Sequence, residues 1–154
     1  MIRRAINKDI PKIIDLLEQV CIVHHNIRPD IFNIGTKYKK EELELMIKDD
    51  LNPIFVYTNL NDNVLGYAFC QHKQFINNNI LSDIKTLYID DLCVDEKERG
   101  NGIGKKLYFN VLDYAKNNDY YNVTLNVWAK NEKALRFYES LGLKMRNIYM
   151  EEIL

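Results

Sequence analysis

Leu92-Cys93-Val94-Asp95-Glu96-Lys97-Glu98-Arg99-Gly100-Asn101-Gly102-Ile103-Gly104-Lys105-Lys106 is the stretch on which the reading of this chain turns. An apolar, strand-like run from Leu87 to Val94 enters a charged turn, crosses three glycines at alternate positions, and leaves as an amphipathic helix. Glycines strip side chains from the loop, so its backbone N–H groups can converge on one point. That point lies beside a helix N-terminus, where unpaired N–H groups and the helix dipole favour negative charge. Arg99 before the glycines and Lys105 after them add cations. The stretch reads as a pyrophosphate cradle between a strand and a helix.

Two common phosphate loops do not fit. A Walker loop needs four residues between its glycines and then Lys-Ser/Thr; Gly100 to Gly104 leaves three, and Lys105 is followed by Lys106. A dinucleotide fingerprint spaces its last glycine one place later and follows the first strand of a βαβ unit. The pattern Arg-x-x-Gly-x-Gly, written here as Arg99-Gly100-Asn101-Gly102-Ile103-Gly104, instead resembles the coenzyme A loop of the GNAT superfamily of N-acetyltransferases.

Working outward, the 154 residues suit one domain, 1–154, with a sizeable core. A net charge of −1 gives no reason to expect nucleic acid or an anionic membrane as partner. Cys21, Cys70 and Cys93 are odd in number and far apart, which argues for free thiols in a reducing compartment. With neither a signal-like h-region after Met1 nor a bilayer-length apolar run, the expected location is the cytoplasm.

Toward the N-terminus, Ile2 to Ile6 reads as a strand. Asp9 and Pro11 open a helix whose stripe is Ile10, Ile13, Ile14, Leu17, Val20 and Cys21. His24 continues the stripe; His25 points about 100° away, so the two make a poor metal pair and read as helix-end side chains. Asn26 to Tyr38 is an ordered loop, either lining an acceptor pocket or covering the core with Ile31 and Phe32. Lys39 to Asp50 is helical. Ile54 to Leu60 and Val64 to Phe75 form a hairpin around Asn61-Asp62-Asn63, followed by the central strand Ile84 to Val94.

Toward the C-terminus, Gly102 to about Asn117 is a helix with Ile103, Leu107, Val111 and Tyr114 on its core side. Asn122 to Trp128 alternates as a strand, Asn131 caps a helix built on Ala134, Phe137, Tyr138 and Leu141, and Gly142 ends it. Leu143 to Leu154 is expected to supply the last strands. Asn131-x-x-Ala134-x-x-Phe137-Tyr138-x-x-x-Gly142 resembles a second GNAT pattern, in the right order after the first.

The resemblance implies an α/β domain whose mixed central sheet is splayed at the central strand, with helices on both faces and acetyl-CoA in the opening. Backbone groups of Leu92, Cys93 and Val94 would pair with the pantetheine arm. Amides of Arg99, Gly100, Asn101, Gly102, Ile103, Gly104 and Lys105 would hold the pyrophosphate. Asn131 would contact the pantetheine and Tyr138 would sit near the sulfur. No metal is implied.

The chemistry asks for few groups. An amine attacks a thioester only when neutral, the oxyanion wants a fixed backbone N–H near Leu92 or Cys93, and the departing thiolate wants a proton. A Tyr hydroxyl, protonated at neutral pH, can give one; by periodicity alone Tyr138 is equally a core residue. Asp90 and Asp91 are costly in an apolar strand unless wet or paired. Strand alternation sends them to opposite faces, one to an acceptor amine and one to a structural partner. Their position is similar to an acidic pair in spermidine/spermine acetyltransferases, which favours a small cationic amine. Cys93 reads as a small buried thiol rather than a nucleophile. The expected activity is direct acetyl transfer to a primary amine in a ternary complex. Its alternatives are an acetylator of peptide or protein N-termini and a non-catalytic acetyl-CoA-binding module, and a homodimer is left open.

Overall fold

The computed structural model describes residues 1–154. Five strands and four helices follow one another in the order β1 (Ile2–Arg4), α1 (Ile10–Ile27), α2 (Lys40–Met46), β2 (Ile54–Thr58), β3 (Val64–Lys73), β4 (Thr86–Val94), α3 (Ile103–Asn117), β5 (Asn122–Leu125), α4 (Glu132–Ser140). Short 3-10 turns precede α1 and follow β4. The sheet order is β1-β2-β3-β4-β5, antiparallel as far as β4 and parallel between β4 and β5. No helix is long and apolar enough to cross a membrane.

Helices cover both faces of the sheet, as the sequence pattern requires. On one face Ile13, Leu16 and Leu17 of α1 and Leu43 of α2 meet Val56, Tyr67, Phe69 and Cys93. On the other, Ile103, Leu107 and Val111 of α3 meet Phe55, Ala68, Cys70, Leu87 and Ile89. Each large aliphatic side chain so buried contributes about 1.5–3 kcal/mol. These two cores fix β3 and β4 as the rigid centre on which the site is built.

Three differences from the sequence pattern matter. First, β5 ends at Leu125, not at Trp128, because its pairing with β4 stops at Ile89↔Leu125. Beyond that point β4 continues to Val94 alone on this side, and the sheet opens as the resemblance implied. Second, the β3–β4 register shifts between Phe69 and Cys70: Phe69 faces Asp91 and Cys70 faces Ile89, leaving Asp90 as the extra residue of a bulge. Bulges re-aim side chains, and this one turns Asp90 and Asp91 toward the same α1/α2 face, correcting the expectation of opposite faces. Third, Leu143 to Leu154 forms no strand. Its last backbone bond is Leu143 N–H to Tyr138 O at 3.2 Å, and β5 remains the sheet's outer edge.

Candidate functional site

The opening between β4 and the chain after β5 is a cleft. Ile89, Asp90, Asp91 and Leu92 form one wall and Leu125, Asn126, Val127 and Trp128 the other. Val20 and His24 of α1 close one end, and Asn131, Ala134 and Tyr138 of the α4 segment close the other.

The free edge of β4 is set by its hydrogen bonding. Asp95 N–H bonds Leu65 O across to β3 at 2.9 Å. By the two-residue period of a strand, the backbone groups of Leu92 and Val94 therefore face the cleft. Val94 O accepts from Arg99 Nε at 3.1 Å, which folds the Arg99 side chain back along this edge. The Cys93 side chain lies on the α1/α2 face of the sheet. It is buried, donates to Leu16 O at 3.6 Å, and burial pushes its thiol up to about 12, so it is an inert core thiol.

Beyond Val94 the turn is pinned at Asp95, whose carboxylate accepts from Lys97 N–H at 3.1 Å and pairs with Lys12 of α1 at 2.5 Å. The glycines then divide their work. Gly100 and Gly102 have φ of +86° and +73°, conformations that L side chains rarely adopt, and a Cβ at either would meet open space. Gly104 is a packing position: a Cβ there would lie 3.3 Å from the Phe137 ring and 3.6 Å from Val94. Gly102 is the N-cap of α3 and no side chain caps this helix, so its first amides have no side-chain partner. Ile103 turns its side chain into the core, while Asn101 and Lys105 are exposed. An uncapped fifteen-residue helix behind an open glycine loop fits a pyrophosphate, and a one-sided strand edge fits an extended amide-bearing arm.

Asn131 caps α4, its Oδ1 accepting from Ala134 N–H at 3.2 Å, while its side chain borders the cleft. Tyr138 lines the cleft between Tyr108 and Phe137, at ring-centroid distances of 6.4 and 5.0 Å. Burial, then the nearby Asp91 charge, raises its pKa, so the phenol is held protonated.

The two carboxylates have different surroundings. Asp90 Oδ2 accepts from Tyr38 Oη at 2.6 Å and pairs with Lys37 Nζ at 2.8 Å, both from the segment between α1 and α2. Tyr38 is itself stacked on Phe69 at 5.5 Å. Asp91 Oδ2 accepts from the buried Tyr67 hydroxyl at 2.9 Å and has no cation bonded to it. Burial pushes Asp91 up to about 6 against the opposing pull of Tyr67. It titrates near neutrality beside the cleft, where a group that exchanges protons is useful.

Periodicity read His24 only as a half-packed helix end. It lines the cleft, and burial followed by the charge of Lys37 lowers its pKa, so it stands neutral at pH 7. His24, Phe32 and Trp128 form an aromatic run with centroid distances of 5.0 and 5.2 Å. Its only sequence signal was His24's place on the apolar stripe. Tyr67, Lys37 and Tyr38 had none, since their contacts cross 24 to 53 positions of chain.

A sequence profile described as the acetyltransferase (GNAT) family matches residues 21–143. The chain is 28% identical over 116 residues to an N-acetyltransferase of Methanocaldococcus jannaschii, covering 72% of this chain and 50% of that protein. Over 57 residues it is 37% identical to a glucosamine 6-phosphate N-acetyltransferase of Trypanosoma brucei brucei, covering 37% of each. It thus spans about half the length, or less, of these curated relatives. A solved structure, a tetramutant of the BH1408 protein from Bacillus halodurans, superposes with a TM-score of 0.94 at 30% identity, covering 100% of this chain and 99% of that one.

Proposed function

The chain belongs to the acetyltransferase (GNAT) family, and on that premise we propose that it transfers the acetyl group of acetyl-CoA to a primary amine by direct attack, residues 1–154 working as one domain. The observation that carries this reading is the joining of an uncapped α3 N-terminus to an open β4 edge. Gly104 at the start of α3 packs beside Val94 and Leu92 of that edge, and the cleft along the edge is lined by Asp91, Leu92 and Tyr138. Leu92 and Val94 would offer backbone groups to the pantetheine, the Cys93 backbone between them being turned to β3, and the amides from Arg99 to Lys105 would take the pyrophosphate. Asn131 has an amide nitrogen to offer from the far wall. When bound, acetyl-CoA supplies the activated thioester.

The residues then divide the proton work. Asp91, ionised above about pH 6, takes the proton of the acceptor ammonium at Oδ1 or Oδ2, directly or through water. The Leu92 N–H on the open edge faces the negative charge that develops on the acyl oxygen. Tyr138 Oη gives its proton to the departing sulfur. Asp90 is already engaged by Lys37 and Tyr38, so it holds the acceptor wall in place and the cationic acceptor is drawn by Asp91. Neutral His24 beside it does not repel an ammonium. A small cationic amine fits these charges, and a relative named for an amino sugar acetylates an amine too.

The test is a panel of polyamines, amino sugars and N-terminal peptides with acetyl-CoA, read by free thiol, on the parent and on Tyr138→Phe. The parent should release thiol with at least one amine. The variant should lose about 10²–10⁴-fold in kcat while acetyl-CoA affinity and melting temperature stay put. Acetyl-CoA binding without amine-stimulated thiol from any of the panel would favour a binding module, and a kcat within twofold of the parent would return Tyr138 to packing.

A further inference from the structure

At the end of the cleft closed by α1, Val20, His24 and Trp128 stand with Asp90 and Asp91. The polar side chains around them are mostly engaged within the protein. Asn126 Nδ2 donates to Tyr88 Oη at 3.2 Å, and Lys37 pairs with Asp90 at 2.8 Å. Asp91, bonded only to the Tyr67 hydroxyl, has no cation of its own. A hydroxyl-rich ligand finds few free partners here, and a phosphate meets two carboxylates. What this end offers instead is ring surface. Phe32 stands between His24 and Trp128, at centroid distances of 5.0 and 5.2 Å. Its contact with Trp128 is perpendicular, 82° between the planes, so it covers only part of the indole, and 37% of Trp128 stays exposed.

The rings are fixed before any ligand arrives. Phe32 N–H donates to Arg28 O at 3.0 Å, and its carbonyl accepts from His25 Nδ1 at 2.6 Å. Cys21 Sγ donates to the next carbonyl, Asn33 O, at 3.1 Å. These bonds wrap the segment onto the end of α1, so ordering Phe32 costs a ligand little. We propose that this end of the cleft binds an arylalkylamine, with its ammonium at Asp91 and its ring against Trp128 and Phe32. The inference rests on the acetyl-transfer reading for the fate of the amine, and narrows the acceptor from small cationic amines to those that carry an aromatic ring. The carboxylate draws the cation, and the rings sort what the cation is attached to. Neutral His24 extends the ring surface without repelling the ammonium.

Trp128 is the only tryptophan of the chain, so its emission reports on this corner of the cleft. Titrated into the protein with coenzyme A present, phenethylamine should change that emission saturably. It should bind about tenfold or more tighter than n-butylamine or glucosamine 6-phosphate. Calorimetry repeats the ranking without the fluorophore and admits Trp128→Leu. That change and Phe32→Ala should each bring phenethylamine to within about twofold of n-butylamine. Equal or tighter binding of n-butylamine or glucosamine 6-phosphate to the parent overturns the inference, and needs no variant to do so. A ranking that survives both substitutions overturns it too. Thiol release from acetyl-CoA is read separately. Ring-dependent binding with no thiol from phenethylamine would overturn acetyl transfer and leave the aromatic site standing. Thiol released in preference with n-butylamine or glucosamine 6-phosphate would overturn the aromatic site and leave acetyl transfer standing.

Discussion

β4 is two strands in one. From Thr86 to Ile89 it is paired on both edges, by β3 and by β5, and its inward side chains Leu87 and Ile89 are buried against α3. From Asp90 to Val94 it keeps β3 but loses β5, carries a bulge, and sets two carboxylates where the first half set aliphatics. The first half has its backbone paired on both edges, and the second leaves the backbone groups of Leu92 and Val94 unpaired by β5. The bulge at Asp90 is the hinge between these halves. It costs one ladder position and in return puts Asp90 and Asp91 on the same face. Burial on that scaffold, which would destabilise any charged group, gives Asp91 a proton affinity suited to neutral pH.

The largest expected effect is on the functional half. Asp91→Asn should lower kcat by about 10²–10⁴-fold, with acetyl-CoA affinity unchanged by calorimetry. Stability should move the other way. Asp91's folded pKa is raised above its unfolded value, so between about 4 and 6 the folded state holds the extra proton and loses stability as pH rises. Above pH 6 the penalty is complete, and the variant, which keeps an acceptor for Tyr67, should melt at or above the parent's temperature. A clear fall in its melting temperature at pH 8 would make Asp91 a structural residue. Parent activity should climb as pH rises through about 6, and a kcat profile flat from pH 5 to 8 would count against Asp91 as the proton acceptor.

Next comes the structural half. Leu87 is fully buried, and Leu87→Ala should cost about 2–5 kcal/mol in denaturant unfolding. The kcat of the molecules that remain folded should change far less than in Asp91→Asn. Equal damage to both properties would dissolve the distinction between the halves.

Gly102→Val tests the loop that the second half feeds. Acetyl-CoA Kd should rise at least tenfold, about 1.4 kcal/mol, and the positive φ should add about 1–3 kcal/mol of destabilisation. Unchanged affinity in a folded variant would remove the cradle. The same change at Gly104 is a poorer probe, because the Phe137 ring stands in the way.

The smallest effect belongs to Asp90→Asn. Its carboxylate faces a half-exposed Lys37 and the Tyr38 hydroxyl, a pairing of the kind worth about 1 kcal/mol or less. The amine KM should rise a few-fold with little change in kcat. A loss matching that of Asp91→Asn would mean that the two carboxylates act as one.

Much of this molecule was legible in local sequence. The helix stripes of α1 and α3, the hairpin of β2 and β3, and the glycine loop all rest on spacing, capping and backbone freedom, which act over a few residues. Ile13 and Leu17, or Leu107 and Val111, are core because a helix repeats every 3.6 residues. What remained hidden depends on two distant segments meeting. Alternation assigned Asp90 and Asp91 to opposite faces, and only the register against Phe69 and Cys70 places the bulge that overrules it. Residues 126–128 alternate like a strand, yet lose their partner where β4 and β5 diverge. His24, Tyr67 and Lys37 were anonymous until α1, β3 and the loop before α2 brought them to the carboxylates. Local rules decide which residues prefer helix, strand or turn, because those preferences arise from neighbours a few bonds apart. Proton affinity, an open strand edge and a shared cleft are set by groups packed across the chain, and so belong to the tertiary structure alone.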